Sequence, residues 1–226
     1  MKNRAEWVVA EQASYLKGVV TVPIYDLADD QTIAFIINDT ELKSIVCSVD
    51  IATKLLWQAG KCTSLEHLII TSFPSSTPVE GAITDDAVLP TELLQLATDK
   101  GVVLTLFSDV EAMGKRHRDS DVHSQKDTTY APRPADLATF CYTSGTTGTP
   151  KGALITHQNI IAACTGGLST LSDINSQDKY LSFLPLPHIF ERLIVNGLLA
   201  SGTCIGTPYT HYTPYTPYTP YTPYTH

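Results

Sequence analysis

The sequence predicts an α/β fold in which parallel sheets are flanked by helices. Short segments that are apolar throughout, such as Ser44–Ser48 and Val102–Phe107, have the pattern of strands buried on both faces. Segments with helical periodicity lie between them, and glycines such as Gly18 and Gly60 stand where these helices should end. Regular alternation of helices and buried strands is typical of a parallel sheet covered by helices.

The first predicted helix begins near the amino terminus. Asn3 is expected to cap it, with Glu6 in the reciprocal capping position. Gly18 ends the helix just before the β-prone segment Val19–Pro23. This region therefore predicts one helix-to-strand unit.

The elements that follow repeat this pattern. In chain order, the sequence predicts the strand Ser44–Ser48, a helix from Asp50 to Gly60, the strand His67–Thr71, the helix Thr91–Gly101, the strand Val102–Phe107, a short helix, the strands Ala138–Tyr142 and Ala153–Ile155, a helix capped by Thr156, the strand Tyr180–Pro185, a helix from His188 to Ala200, and the strand Thr203–Ile205. Two long polar loops are predicted, Ser72–Pro90 and Arg116–Pro134. The second is expected to separate two sheet subdomains.

The carboxyl-terminal segment has a different composition. From Thr207 the chain is a Tyr-Thr-Pro repeat with no aliphatic side chain, and its prolines remove backbone donors. We therefore expect a folded domain over residues 1–206 and a disordered, extended tail over residues 207–226. The Pro-x-x-Pro spacing at Pro214 and Pro217 would suit an aromatic-lined groove on a binding partner.

Composition excludes several functional classes. The net charge of -8 argues against a nucleic-acid partner, and the basic cluster Lys115–Arg118 is expected to be a solvated helix end. Five widely spaced cysteines without a Cys-x-x-Cys pair indicate neither a disulfide framework nor a zinc site, which suits a reducing compartment. The sequence has no apolar run of about 18 residues that could span a membrane.

The segment "YTSGTTGTPKG", Tyr142–Gly152, has the composition of an anion-binding turn. Glycines let backbone N–H groups approach an anion closely, and the hydroxyl residues add donors with little bulk. A lysine ammonium at the end of the turn would oppose the outer phosphates of a polyphosphate. The predicted phosphate-binding residues are Thr143, Ser144, Gly145, Thr146, Thr147, Gly148 and Lys151.

This segment has two other interpretations. A Walker A loop needs a glycine before the lysine and a hydroxyl residue after it, whereas Pro150 and Gly152 stand there. That interpretation fails. A polar hairpin without any ligand would account for the glycines but not for the lone lysine that follows so many donors.

This segment resembles the phosphate-binding signature of the AMP-forming acyl-CoA synthetases, which belong to the adenylate-forming enzymes. Two further segments, "NRAEWVVAEQASYLKGVVTVPIYD" and "LSFLPLPHIFER", resemble the eukaryotic-type long-chain fatty-acid ligases. The resemblance runs from Asn3 to Gly206 and covers less than half of a family member. It implies an incomplete amino-terminal AMP-binding domain of the adenylate-forming fold.

The resemblance implies ATP-dependent activation of a long-chain fatty acid to its acyl-CoA through an acyl-adenylate, with coenzyme A as co-substrate. Thr143 matches the position near the Mg²⁺ ion, and His188 matches a position near the reacting carboxylate. His188 could instead simply cap the helix that Ile189 starts. Glu191 and Arg192 are expected to form an orienting ion pair. The family implies an intracellular location, cytoplasmic or peripheral on an organelle membrane such as the endoplasmic reticulum or peroxisome.

Departures from the family pattern limit the expected activity. The sequence lacks the Tyr-Gly-x-Thr-Glu and Thr-Gly-Asp segments, the hinge and the carboxyl-terminal domain with its catalytic lysine. We therefore expect this chain to be inactive alone. The alternatives are a non-enzymatic truncated protein or gene-model fragment whose proline-rich tail binds partners, and an aryl or peptide-synthetase adenylation unit.

Overall fold

The computed structural model describes residues 1–71, 89–120, 131–143, 150–171 and 174–207. Its elements are α1 (Ala5–Leu16), α2 (Asp30–Asp39), β1 (Ser44–Ser48), α3 (Val49–Gln58), a 3₁₀ turn (Ala59–Lys61), β2 (His67–Thr71), α4 (Thr91–Lys100), β3 (Val103–Leu106), α5 (Phe107–Ser120), β4 (Leu137–Thr143), β5 (Lys151–Thr156), α6 (His157–Thr170), β6 (Lys179–Leu181), α7 (Ile189–Ala200) and β7 (Cys204–Gly206). The predicted α/β alternation is confirmed. Of the tail predicted over residues 207–226, only Thr207 is described, and it is buried. Residues 72–88 and 121–130 of the two predicted loops lie outside the described residues.

Strands β1, β2 and β3 form a parallel sheet, as predicted, and their order in the sheet follows their order in the chain. Ser44 pairs with His67, and His67 pairs with Val103. Helices α2, α3 and α4 pack with this sheet around a common core in which Leu56 and Leu68 are fully buried. Each such leucine contributes about 1.5–3 kcal/mol relative to an exposed one, so this layer is a principal source of stability.

Strands β4 and β5 form an antiparallel hairpin, and β6 pairs with β7 in parallel. The predicted strand Val19–Pro23 is reduced to a single bridge, Thr21 with Thr139 of β4. Thr21 donates its N–H to Ala138 and accepts from Phe140, so one residue makes all the ladder contacts described for this segment. The β propensity of this segment predicted a strand, but a strand forms only where a neighbouring strand pairs with it along its length.

The helix ends show where local signals hold. Thr156 caps α6 through a capping box with Asn159, as predicted, and Gly18 ends the first helical unit with a φ of 65°. The predicted cap of α1 is wrong, because Arg4 occupies the cap position, its side chain makes no capping bond, and Glu6 binds the Arg4 guanidinium instead of the backbone. The Asn3 side chain instead bonds to distant backbone.

Helix α5 is longer than the sequence indicated. It runs through Ser120, so residues 116–120, which were predicted to begin a polar loop, are helical. The side chains of Lys115, Arg116 and His117 are exposed, which confirms a solvated helix end. Basic residues are favoured in the last turns of a helix because they oppose its negative carboxyl-terminal dipole.

Candidate functional site

The hairpin of β4 and β5 brings the two ends of the predicted phosphate-binding segment together. Thr143 pairs directly with Lys151 across the strands, and both residues are exposed. Residues directly opposite each other in an antiparallel pair project their side chains from the same face of the sheet. The other predicted residues of the segment, Ser144, Gly145, Thr146, Thr147 and Gly148, lie outside the described residues.

Tyr142 joins this hairpin to α2. Its hydroxyl donates a hydrogen bond to the carboxylate of Asp39, the last residue of that helix. Partial burial, together with the hydrogen bond and charge of Asp39, raises the pKa of the Tyr142 phenol, so the ring stays protonated as a donor. Opposite it stands Gly152, where a Cβ would lie 3.1 Å from Cζ of the ring. The glycine therefore leaves room for the ring to lie across the hairpin.

His188 caps α7. Its Nδ1 accepts a hydrogen bond from the Phe190 N–H at 3.2 Å, and the residue is exposed. This confirms the capping role. Because Nδ1 acts as the acceptor, the neutral imidazole carries its proton on Nε2 while it holds the cap. Proximity to a substrate carboxylate stays a prediction.

The predicted ion pair of Glu191 with Arg192 is wrong. Arg192 Nε instead donates to Glu11 Oε1 of α1 at 2.6 Å, and Glu191 accepts from the Tyr180 hydroxyl at 2.9 Å. Consecutive helical residues do not face each other, so each side chain finds a partner on a different element. Arg192 also donates to the Tyr15 hydroxyl at 2.6 Å, which makes a buried network between α1 and α7.

A cavity of about 300 Å³ lies between α1, residues 19–26, β1 and α3. Its walls are mostly apolar, and neither Thr143 nor Lys151, the two predicted phosphate-binding residues that the structure describes, lines it. Polyphosphate needs cationic and hydrogen-bonding groups, which the hairpin provides and this cavity largely lacks. The hairpin is therefore the candidate nucleotide site.

The hairpin also fits the chemistry of Mg²⁺. Within the described residues no group of three or more His, Cys, Asp or Glu side chains could hold a metal ion. Mg²⁺ bound to a nucleotide takes most of its ligands from phosphate oxygens and water, so one hard hydroxyl oxygen at the edge of the site suffices. Exposed Thr143, facing the same side as Lys151, offers such an oxygen.

Sequence reasoning missed helix α2, which carries Asp39. Its signals were present: the Asp29 side chain accepts from the N–H groups of Gln31 and Thr32, and Ile33 and Ile37 recur at helical spacing on its buried face. The contact of Asp39 with Tyr142 had no local signal, because it joins residues 103 positions apart.

This arrangement of helices, parallel strands and an antiparallel hairpin is an α/β fold that is similar to solved structures of adenylate-forming enzymes. The A-PCP didomain of carboxylic acid reductase from Segniliparus rugosus, in complex with AMP, has a similar fold. The TM-score is 0.70 at 23% identity, over 92% of this chain and 28% of that one. Residues 1–217 match the family described as AMP-binding enzyme, and the chain belongs to this family.

Its relatives include long-chain fatty-acid ligases. Long-chain-fatty-acid–CoA ligase 5 of Mus musculus is 32% identical over 211 residues, which is 91% of this chain and 28% of the relative. Long chain acyl-CoA synthetase 7, peroxisomal, of Arabidopsis thaliana is 34% identical over 190 residues, 84% of this chain and 24% of the relative. The chain thus spans about a quarter of the length of these curated relatives. Within the described residues, no helix is both long and apolar enough to cross a bilayer.

Proposed function

We propose that this chain forms the phosphate-binding part of an enzyme that activates long-chain fatty acids with ATP and transfers them to coenzyme A. The observation that carries the proposal is the pairing of Thr143 with Lys151, which sets a hydroxyl and an ammonium on one face where the glycine-rich turn begins and ends. The substrate class is supported by relatives named as long-chain fatty-acid ligases at 32–34% identity.

In the first half-reaction a carboxylate oxygen attacks the α-phosphorus of ATP. The bond to the β-phosphate breaks, and pyrophosphate leaves with the bonding electrons. Lys151 and the N–H groups and hydroxyls of residues 144–148 would hold the departing phosphates and stabilise the charge that moves onto them. Thr143 would hold Mg²⁺, which neutralises charge on the phosphate oxygens when bound.

In the second half-reaction the thiol of coenzyme A attacks the acyl carbon, and AMP leaves. His188 is proposed to lie near the reacting carboxylate in both steps. Its cap bond to Phe190 fixes the imidazole through Nδ1, so its Nε2–H is the edge that could donate to an acyl oxygen. The protein is proposed to work inside the cell, in the cytoplasm or peripheral on an organelle membrane such as that of the endoplasmic reticulum or peroxisome.

The test is titration of the purified chain with MgATP by calorimetry. Lys151→Ala removes one charge-assisted contact, worth about 1.5–3 kcal/mol, and should weaken binding roughly ten- to hundredfold. The matched control is Lys43→Ala, since Lys43 is an exposed lysine paired with Glu66 on the surface of the three-stranded sheet. Equal affinity of the wild type and Lys151→Ala would contradict the proposed site.

Catalysis by the chain alone is a separate question. The segments that the family uses for adenine, ribose and the catalytic lysine are absent from this sequence. We therefore expect the isolated chain to show no ATP–pyrophosphate exchange with a long-chain fatty acid. Exchange that depends on Lys151 would show that the chain contains more of the catalytic apparatus than we infer.

A further inference from the structure

Asn3 is a buried polar residue that the proposed mechanism does not use. Only 5% of its surface is exposed, and its side chain bonds to a segment about 180 residues away. Its Nδ2 donates to the carbonyl of Leu184 at 2.6 Å and to the carbonyl of Ser182 at 3.1 Å. Its Oδ1 accepts from the N–H of Leu186 at 2.9 Å. The amide thus binds three backbone groups of one short segment, residues 182–186.

This segment leads directly to His188. It connects β6 to α7, and its first residue, Ser182, is also fixed from the other side by a bond of its N–H to the Gly206 carbonyl at 2.8 Å. The His188 N–H donates to the carbonyl of Pro185 at 2.9 Å, which closes a turn between the segment and the helix cap. The position of the imidazole therefore depends on backbone that Asn3 holds.

Helix α1 gives Asn3 a fixed support. Its Glu11 binds Arg192, and its Gln12 donates to Asn196 at 2.7 Å, so α1 is attached to α7 along their length. Only a side-chain amide suits the position. It supplies donors for two carbonyls and an acceptor for one N–H, whereas a carboxylate has no donor and alanine has neither.

We propose that Asn3 is a positioning residue for His188, acting through the backbone of residues 182–186. The inference rests on the proposed function in one respect, the placement of His188 near the reacting carboxylate. The hydrogen-bond geometry itself is independent of that function. The test therefore reads the position of His188 directly, without a ligand.

The experiment compares Asn3→Ala with Asn38→Ala in the complete chain. Asn38 of α2 is the control, because its amide also donates to a carbonyl, that of Lys61, and accepts a backbone N–H, that of Thr63, but it is exposed and these hydrogen bonds do not involve residues 182–186. Two readouts are followed by NMR: hydrogen-exchange protection of the Leu186 amide and the ring resonances of His188. Asn3→Ala should lower the Leu186 protection factor roughly tenfold or more, the equivalent of one lost hydrogen bond, and shift the ring resonances. Asn38→Ala should change neither.

A pH series on Asn3→Asp provides the second arm. An aspartate among two carbonyls and little solvent should have its pKa raised, so the protonated acid can donate to Leu184 at low pH and the carboxylate cannot at high pH. The His188 ring resonances of Asn3→Asp should therefore approach those of the wild type at the acidic end of the series and depart from them at the alkaline end, with the two proteins compared at each pH. This arm decides the question even if Asn3→Ala does not fold.

The outcomes separate the two proposals. Wild-type protection of Leu186 in Asn3→Ala, an equal effect of Asn38→Ala at His188, or no pH-dependent departure in Asn3→Asp would each overturn the positioning role. If these arms succeed while the wild-type chain fails to bind MgATP, the proposed function fails and the role of Asn3 stands.

Discussion

Replacement of Glu11 by glutamine tests the buried network that joins α1 to α7. The side chains of Glu11 and Arg192 are only 4% and 1% exposed, and Arg192 Nε lies 2.6 Å from Glu11 Oε1. Glu11→Gln preserves shape but leaves the guanidinium buried without its counter-charge. Breaking one partner of such a pair costs about 3–5 kcal/mol, much of it the penalty of the unpaired charge.

The measurement is urea unfolding followed by circular dichroism. With a slope of about 2 kcal/mol/M, a loss of about 3 kcal/mol moves the midpoint down by roughly 1.5 M. Glu66→Gln is the matched control, because Glu66 pairs with Lys43 at 3.3 Å while both side chains are more than 60% exposed. An exposed pair contributes no more than about 1 kcal/mol, so its midpoint should move by less than about 0.5 M. Equal shifts for the two variants would refute the argument that burial makes the Glu11 pair critical.

Three further predictions follow from individual side chains. Gly152→Ala should lower stability by about 1–3 kcal/mol, because the new Cβ would lie 3.1 Å from the Tyr142 ring. Gly60→Ala is the control, since a Cβ there would have no atom within 4 Å, and its stability should not fall. Equal melting temperatures of the two variants would contradict this prediction. The raised pKa of Tyr142 means that its hydrogen bond to the carboxylate in α2 contributes fully to folding stability below the unfolded pKa of about 10, and that this contribution is lost as the pH rises through the folded pKa. The difference in stability between the wild type and Tyr142→Phe should therefore shrink at high pH. A difference that stays unchanged would argue against this bond. Burial raises the pKa of the Cys47 thiol to about 12. A disulfide reagent at pH 8 should therefore label exposed Cys204 first and Cys47 only upon unfolding. Equal labelling rates of the two cysteines would be inconsistent with the buried position of Cys47.

Local patterns predicted most of the elements, because each depends on residues within a turn or two of one another. The strand Ser44–Ser48 and the cap at Thr156 are examples, and the structure has both. Asn3 shows the limit of such reasoning. It has the residue type and the location of a helix cap, yet its amide satisfies buried backbone that lies nearby only in the folded chain. Arg192 shows the same limit. Glu191 is its neighbour in the sequence, but in the folded chain Arg192 forms its ion pair with Glu11.

The two parts of the candidate site are each attached by polar contacts from a distant element. Tyr142 of the hairpin is bound to Asp39, and the segment before His188 is bound to Asn3. Both Lys151 and His188 are exposed, as the proposed binding of a nucleotide and an acyl chain requires, so neither can be fixed by close apolar packing around it. Directional hydrogen bonds from elements anchored in the core supply the orientation instead. Substitution of Asp39 or Asn3 should therefore make the site less well ordered. It should cost less stability than breaking the buried ion pair between α1 and α7, which holds these two helices together.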